Sequence, residues 1–176
     1  MEDGLAWIKE LIRDVPDFPQ AGVVFKDITP LLADRRALAE CAETLAGAFA
    51  GHAVDKVVGI EARGFIVAAP VALALGAGFV PVRKAGKLPW RVVSESYALE
   101  YGSDVLEVHE DGFEPGERVL VVDDVLATGG TASAVVRLAG RMGAEVAGFG
   151  CIVELGFLGG RGKLEGMDAV SLIRYE

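Results

Sequence analysis

Two adjacent carboxylates, Asp123 and Asp124, run straight into a stretch of small residues in the segment 119–131, VLVVDDVLATGGT. The apolar residues before them read as a buried strand, so the carboxylates are expected where that strand emerges. Ala127, Thr128, Gly129, Gly130 and Thr131 then form a turn that leads into a helix. Such a turn is a phosphate cradle. Glycines let the backbone approach an anion, the N–H groups of the helix start face it, and threonine hydroxyls add donors. Because cradle and carboxylates are contiguous, they must share one ligand. With a phosphate in the turn, Asp123 and Asp124 meet hydroxyls or Mg²⁺, and a phosphorylated sugar satisfies both halves. Carboxylates at the end of a buried strand cost desolvation energy unless they have such partners.

Other chemistries find no support. No G-x-x-x-x-G-K-[ST] occurs and no lysine follows Gly130, so the cradle is not a nucleoside-triphosphate loop of that type. The GGRGKLEG stretch around Gly160 misses the dinucleotide-binding spacing, and G-x-S-x-G and H-E-x-x-H are absent. His52 and His109 stand alone, which suits structural roles. Cys41 and Cys151 are too few for a disulfide framework and lack metal-ligand spacing.

Composition narrows the class. The 176 residues are 52% hydrophobic and 24% charged, and mean hydropathy is +0.39, which supports one domain with a sizeable core and excludes disorder. Seventeen basic against 26 acidic residues give a net charge of -9. Such a surface repels phosphate backbones and anionic membranes, so no nucleic acid and no membrane are expected as partners. The longest apolar run, 65–82, is interrupted by Pro70, Gly76, Gly78 and Pro81, and a spanning helix needs about 20 cleaner residues. Charges run through the N-terminal pattern, which fits neither a signal peptide nor an anchor. A soluble, cytoplasmic protein is expected.

The elements that must position these residues follow from periodicity. Leu5, Ile8, Leu11 and Ile12 recur at helical spacing behind Asp3, a candidate cap, and Asp34 is placed to cap a helix whose inner face is Leu38, Cys41, Ala42, Leu45 and Phe49. Strands are expected at 56–60, 79–83, 118–124, 145–155 and 169–175, with helices after Glu61 and over 131–143. Unbroken apolar strands alternating with helices indicate a doubly wound, mostly parallel α/β sheet covered on both faces. Residues 91–110 alternate polar and apolar, which predicts a half-exposed hairpin standing off the main sheet. Ligands bind beyond the carboxyl ends of such strands, so function is expected in the turns after Ile60, Arg83 and Asp124.

Strand, Asp-Asp and ATGGT together resemble the 5-phosphoribosyl 1-diphosphate (PRPP) motif of type I phosphoribosyltransferases. Segments 17–32, 61–65 with 83–89, and 97–116 extend the resemblance to the adenine phosphoribosyltransferase family, in unbroken order from about residue 12 onward. The resemblance implies one phosphoribosyltransferase domain over 1–176, with a hood mainly in 1–35, a flexible catalytic hairpin at about 91–110 and a PRPP loop at 123–131. It implies the reaction of adenine with PRPP to give AMP and pyrophosphate, with Mg²⁺ held mainly through PRPP, in a homodimer. The cradle 127–131 would hold the 5-phosphate, and Asp123 and Asp124 the ribose. Arg63, Lys84 and Lys87 would face pyrophosphate, and Val24, Phe25 and Lys26 the adenine. Glu100 and Tyr101 would close over the substrates, Glu100 handling the purine proton. Lys26 stands where relatives often carry Arg, keeping the charge without the planar fork. The rival readings are an enzyme acting on 6-oxopurines and a non-catalytic PRPP sensor.

Overall fold

A strand flanked by strands and covered on both faces can carry no exposed polar positions, and the uncharged run Val119–Val122 is such a strand. The computed structural model describes residues 5–98 and 103–176. Along the chain come α1 (Ala6–Lys9), β1 (Arg13–Pro16), β2 (Val24–Asp27), α2 (Thr29–Ala33), α3 (Arg35–Phe49), β3 (Lys56–Ile60), α4 (Arg63–Leu75) and β4 (Gly78–Lys84). Then follow β5 (Val92–Ala98), β6 (Ser103–His109), β7 (Arg118–Leu126), α5 (Gly130–Arg141), β8 (Glu145–Leu155) and β9 (Ala169–Tyr175). Short 3₁₀ turns at Gly156–Leu158 and Gly160–Leu164 link β8 to β9.

The main sheet has seven strands in the order β5-β6-β4-β3-β7-β8-β9. From β4 to β9 every neighbouring pair is parallel, whereas β6 runs antiparallel to β4 and β5 to β6. The chain passes from β3 through α4 to β4 on one side, then returns to β7 on the other. Strand order therefore reverses between β3 and β7, which opens a crevice at their carboxyl ends. β1 and β2 form a separate two-stranded ribbon, Arg13 opposite Asp27 and Pro16 opposite Val24.

Alternate residues of β7 feed two cores. Leu120 and Val122 pack with Leu45 of α3 and Val67 and Val71 of α4, while Val119 and Val121 pack with Val135 and Leu138 of α5. Each fully buried aliphatic side chain contributes about 1.5–3 kcal/mol. Among the described residues no helix is long and apolar enough to cross a membrane.

Four expectations need correction. The first helix covers only Ala6–Lys9, although Leu5, Ile8 and Ile12 are buried, because pairing with β2 draws the chain into a strand at Arg13. Asp3 lies outside the described residues. On α3, Ala37 is buried where Leu38 was expected, and Leu38 is only half-buried. The hairpin does not stand off the sheet. Its strand β6 continues the edge through Arg83–Glu107 and Lys84–Leu106 pairs, and Leu106 and Val108 are buried. On β5, Glu95 is clasped by Arg137 at 2.7 Å and Arg141 at 2.5 Å from α5. Finally, β7 runs two residues beyond Asp124, to Leu126.

Asp34 caps α3 as expected, its Oδ1 accepting from the N–H groups of Arg36 and Ala37, both at 2.9 Å. Asp34→Ala leaves both donors without that partner and should lower stability by about 1 kcal/mol. Urea unfolding checks this: the midpoint should fall with the slope unchanged.

Candidate active site

The small residues after β7 take the shape that their types predict. Gly129 adopts φ 72°, a left-handed conformation that side chains disfavour, and α5 begins at the next residue. Asp123, Val125 and residues 126–132 line a cavity of about 70 Å³. The N–H groups opening a helix of this length are free to meet an anion there.

The carboxylates reach this cavity because β7 has unequal neighbours. Its pairing with β3 stops at Val122, whereas pairing with β8 continues through Asp123–Cys151 to Leu126–Glu154. On the β3 side the two acids therefore face the crevice. Asp123 Oδ1 accepts from the Asp124 N–H at 2.9 Å. Gly64 lies so close that a Cβ there would come within 2.7 Å of the same oxygen. Burial first, and the Asp124 charge second, push the Asp123 pKa well above the usual carboxylate value.

Asp124 is 6% exposed. Its Oδ2 lies 2.7 Å from Arg63 Nε, yet no N–H points along that line, so this buried oxygen has charge compensation but no hydrogen bond. The Arg63 guanidinium in turn sits 5.0 Å from the ring centre of Phe25, which meets Phe18 edge-on at 5.2 Å. Phe25, Arg63 and Asp124 thus form one line from the ribbon to the strand end.

A second set of contacts ties the turns after β3 and β4. The Arg83 guanidinium donates to Glu61 at 2.9 and 3.2 Å, and the Lys84 backbone N–H donates to Glu61 at 3.0 Å. The Arg83 hydrogen bonds hold the Glu61 pKa below its ordinary value. Arg83 also donates to the Lys87 carbonyl at 3.0 Å, and the Glu61–Ala62 peptide is cis. The Lys84 ammonium lies 3.1 Å from Asp104 on β6, which raises the Lys84 pKa.

The structure therefore gathers Phe25, Arg63, Asp123, Asp124 and residues 127–131 around one crevice. Lys87 lies in the neighbouring turn with an exposed side chain. It draws two other expected residues elsewhere: Lys84 to Asp104, and the Lys26 ammonium to Asp14 at 2.6 Å and over the Tyr175 ring at 4.2 Å. Val24 is half-exposed on β2. Glu100 and Tyr101 lie outside the described residues. Sequence reasoning missed Glu61, Gly64, Arg83 and Asp104. An acid and a base closing neighbouring strands, as Glu61 and Arg83 do, was the available signal for the first pair. Among the described residues no cluster of three potential metal ligands occurs.

Cradle, acid pair and switch point together define a phosphoribosyl transferase domain, and the model of the family of that description matches residues 27–167. The adenine phosphoribosyltransferase of Anaeromyxobacter dehalogenans (strain 2CP-C) is 56% identical over 96% of this chain and 98% of its own length. That of Streptomyces coelicolor is 62% identical over 88% of this chain and 85% of its own. The crystal structure of the enzyme from Thermoanaerobacter pseudethanolicus superposes with a TM-score of 0.94 at 50% identity, covering 97% of this chain and 99% of the other. The Saccharomyces cerevisiae enzyme, crystallised with an imino-altritol bisphosphate and adenine, superposes with a TM-score of 0.90 at 37% identity, covering 98% and 99%. The chain belongs to the adenine phosphoribosyltransferase family, with its type I phosphoribosyltransferase fold.

The raised Asp123 pKa yields a prediction. A carboxyl that resists ionisation in the folded state supports folding while protonated, and that support is lost as pH rises from its unfolded value of 3.8 toward its higher folded value. Asp123→Asn keeps an acceptor for the Asp124 N–H and removes the charge. The ligand-free variant should melt roughly 2–4 °C higher than wild type near neutral pH. Thermal midpoints across the acid-to-neutral range should show that gap closing toward low pH. A gap independent of pH would contradict the burial account.

Proposed function

We propose that this chain transfers the 5-phosphoribosyl group of PRPP to adenine, giving AMP and pyrophosphate in purine salvage. The observation that carries the reading is the contiguity of a phosphate-sized cradle with two acids, one bearing a buried oxygen without a hydrogen bond. The relatives named above support adenine as the base.

On this reading the backbone and hydroxyls of residues 127–131 hold the 5-phosphate, so the sugar is fixed before reaction. Asp123 and Asp124 accept from the ribose hydroxyls, Asp124 once Arg63, 2.7 Å from its Oδ2, turns toward the ligand. Nitrogen 9 of adenine forms a bond to the anomeric carbon as the bond from that carbon to the pyrophosphate oxygen breaks. The electron pair leaves with pyrophosphate, and the nitrogen 9 proton passes to a base. Positive charge that develops on the ring is stabilised by the neighbouring carboxylates.

Arg63, Lys84 and Lys87 bind the departing pyrophosphate, which requires Lys84 to exchange Asp104 for the ligand. Phe25 stacks on adenine with the Arg63 guanidinium against its ring, and backbone groups around Val24 and Lys26 read the amine edge. Glu100 takes the purine proton and Tyr101 packs against the reacting groups, roles that rest on the family resemblance. Mg²⁺ characteristically takes one or two carboxylates together with substrate phosphates, and Asp123 and Asp124 beside the cradle fit that donor set. When bound with PRPP it would offset charge on the pyrophosphate.

The same reading makes residues 1–176 one domain of a cytoplasmic homodimer. Ile66 and Leu73, seven residues apart on one face of α4, are exposed, an apolar patch suited to a second copy. Both cysteines are free and buried, and burial pushes each thiol up to about 12, which suits a reducing compartment.

Incubation with PRPP, Mg²⁺ and each purine base tests the assignment. AMP from adenine alone is expected. Nucleotide from a 6-oxopurine would move the substrate, and PRPP binding without pyrophosphate release would indicate a sensor. The double change Asp123→Asn with Asp124→Asn should lower kcat/KM about 10²–10³-fold while circular dichroism stays native. Near-normal turnover would remove the ribose role of the pair.

A further inference from the structure

The GGRGKLEG stretch, which matches no phosphate-binding spacing, lies directly behind the cradle. Gly160 and Gly129 meet back to back, and both are buried. A Cβ on Gly160 would collide with the Ala127 carbonyl and stand 2.8 Å from the Gly129 nitrogen, while one on Gly129 would collide with the Gly160 carbonyl. The turn that receives the anion therefore rests on the backbone of residue 160, with no side chain between them. Leu164, at the far end of the same 3₁₀ turn, is buried in the core that includes Ala132 of α5.

The adjoining Arg161 holds this segment in place. Its Nη1 donates to the Ala169 carbonyl at 2.7 Å and its Nη2 to Ser171 Oγ at 2.7 Å, both on β9. Its Nε donates to both oxygens of Glu154 on β8, at 3.0 and 3.1 Å, and Nη2 and the Ser171 hydroxyl also donate to Glu154. Glu154 is 1% exposed, and Arg174 stands 3.7 Å away as a second cation. The Arg161 hydrogen bonds hold the Glu154 pKa below its ordinary value. A buried carboxylate with this many donors is a rigid anchor, since losing Arg161 removes its hydrogen-bonded cation and most of its donors at once. Arg161 thus fixes residue 160 against two strands of the sheet at once, and residue 160 fixes the cradle.

We infer that Gly160 and Arg161 form a backstop that sets the geometry of the phosphate cradle, Arg161 acting as a positioning residue through its anchorage to Glu154 and Ser171. The inference rests on the reading that residues 127–131 hold the 5-phosphate. It goes beyond that reading by assigning selectivity for phosphate-bearing ligands to residues that touch none of them.

The test compares wild type with Arg161→Lys and Gly160→Ala, measuring dissociation constants for AMP, ribose 5-phosphate and adenine by calorimetry. Lysine retains the charge but cannot span Glu154, Ser171 and Ala169 at once, and the alanine methyl displaces the cradle from behind. Both variants should bind AMP and ribose 5-phosphate about 10-fold more weakly, with adenine within about 2-fold of wild type. Unchanged binding of the phosphorylated ligands would overturn the backstop, as would an equal loss for adenine, which marks a merely structural role. Ser171→Ala removes one hydroxyl, with its contacts to Arg161 and Glu154, and serves if either variant fails to fold. A selective loss of about 2- to 3-fold for the phosphorylated ligands supports the inference there, and no change overturns it. If wild type binds neither phosphorylated ligand, the phosphoribosyl reading fails and the backstop fails with it.

Discussion

The site depends on where β7 parts from one neighbour while remaining held by the other. Hydrogen bonding to β3 ends at Val122 and bonding to β8 persists to Leu126. Between those points the strand is both rigid and open on one side. Two acids placed there are fixed in direction by the β8 ladder, yet they face a crevice rather than a partner strand. Had β3 continued alongside, Asp123 and Asp124 would lie inside the sheet. Had β8 stopped with β3, they would lie on a loop, with less precise aim.

Charge is arranged around that opening with little slack. Asp123 resists ionisation because the surrounding protein desolvates it beside a second acid. Asp124 is offset by Arg63, which is itself braced on Phe25. Arg83 is committed to Glu61 and so holds together the two turns that carry the remaining basic residues. The ligand-free site is therefore a set of provisional pairings, Lys84 with Asp104 among them. A polyanion entering this crevice would compete for these cations rather than fill a neutral pocket, which favours charge as the first criterion of recognition.

Much of this was legible in the chain, for identifiable reasons. The uncharged run Val119–Val122 of β7 announced a strand buried on both faces, and Asp34 announced a helix start because capping is decided within a few residues. The Asp-Asp-to-glycine segment could be read because cradle and acids are neighbours in sequence. What failed was non-local. The alternation in 91–110 reported one buried face, but not that Arg83 and Lys84 would accept β6 as an edge partner or that α5 would cover it. Strand pairing likewise shortened the first helix, since the competing partner lies beyond residue 23. The end of β7 was misplaced because carboxylates look like a boundary, whereas Cys151 and Glu154 continue the ladder past them. The contact of Gly160 with Gly129 leaves no trace in composition, since a glycine required by close approach looks like any other.

Among the described residues the β1–β2 ribbon shares no backbone hydrogen bonds with the seven-stranded sheet. Its hold on the crevice passes through side chains, the Phe25–Arg63 contact foremost. Selection can therefore act on the two parts at different rates. Substitutions that reshape the ribbon leave the register of β7 intact, and those that tune the strand end do not redraw the ribbon. An ancestral chain could have remodelled the wall that Phe25 builds without disturbing the acids at the strand end, an inheritance in which one half stays conservative while the other explores.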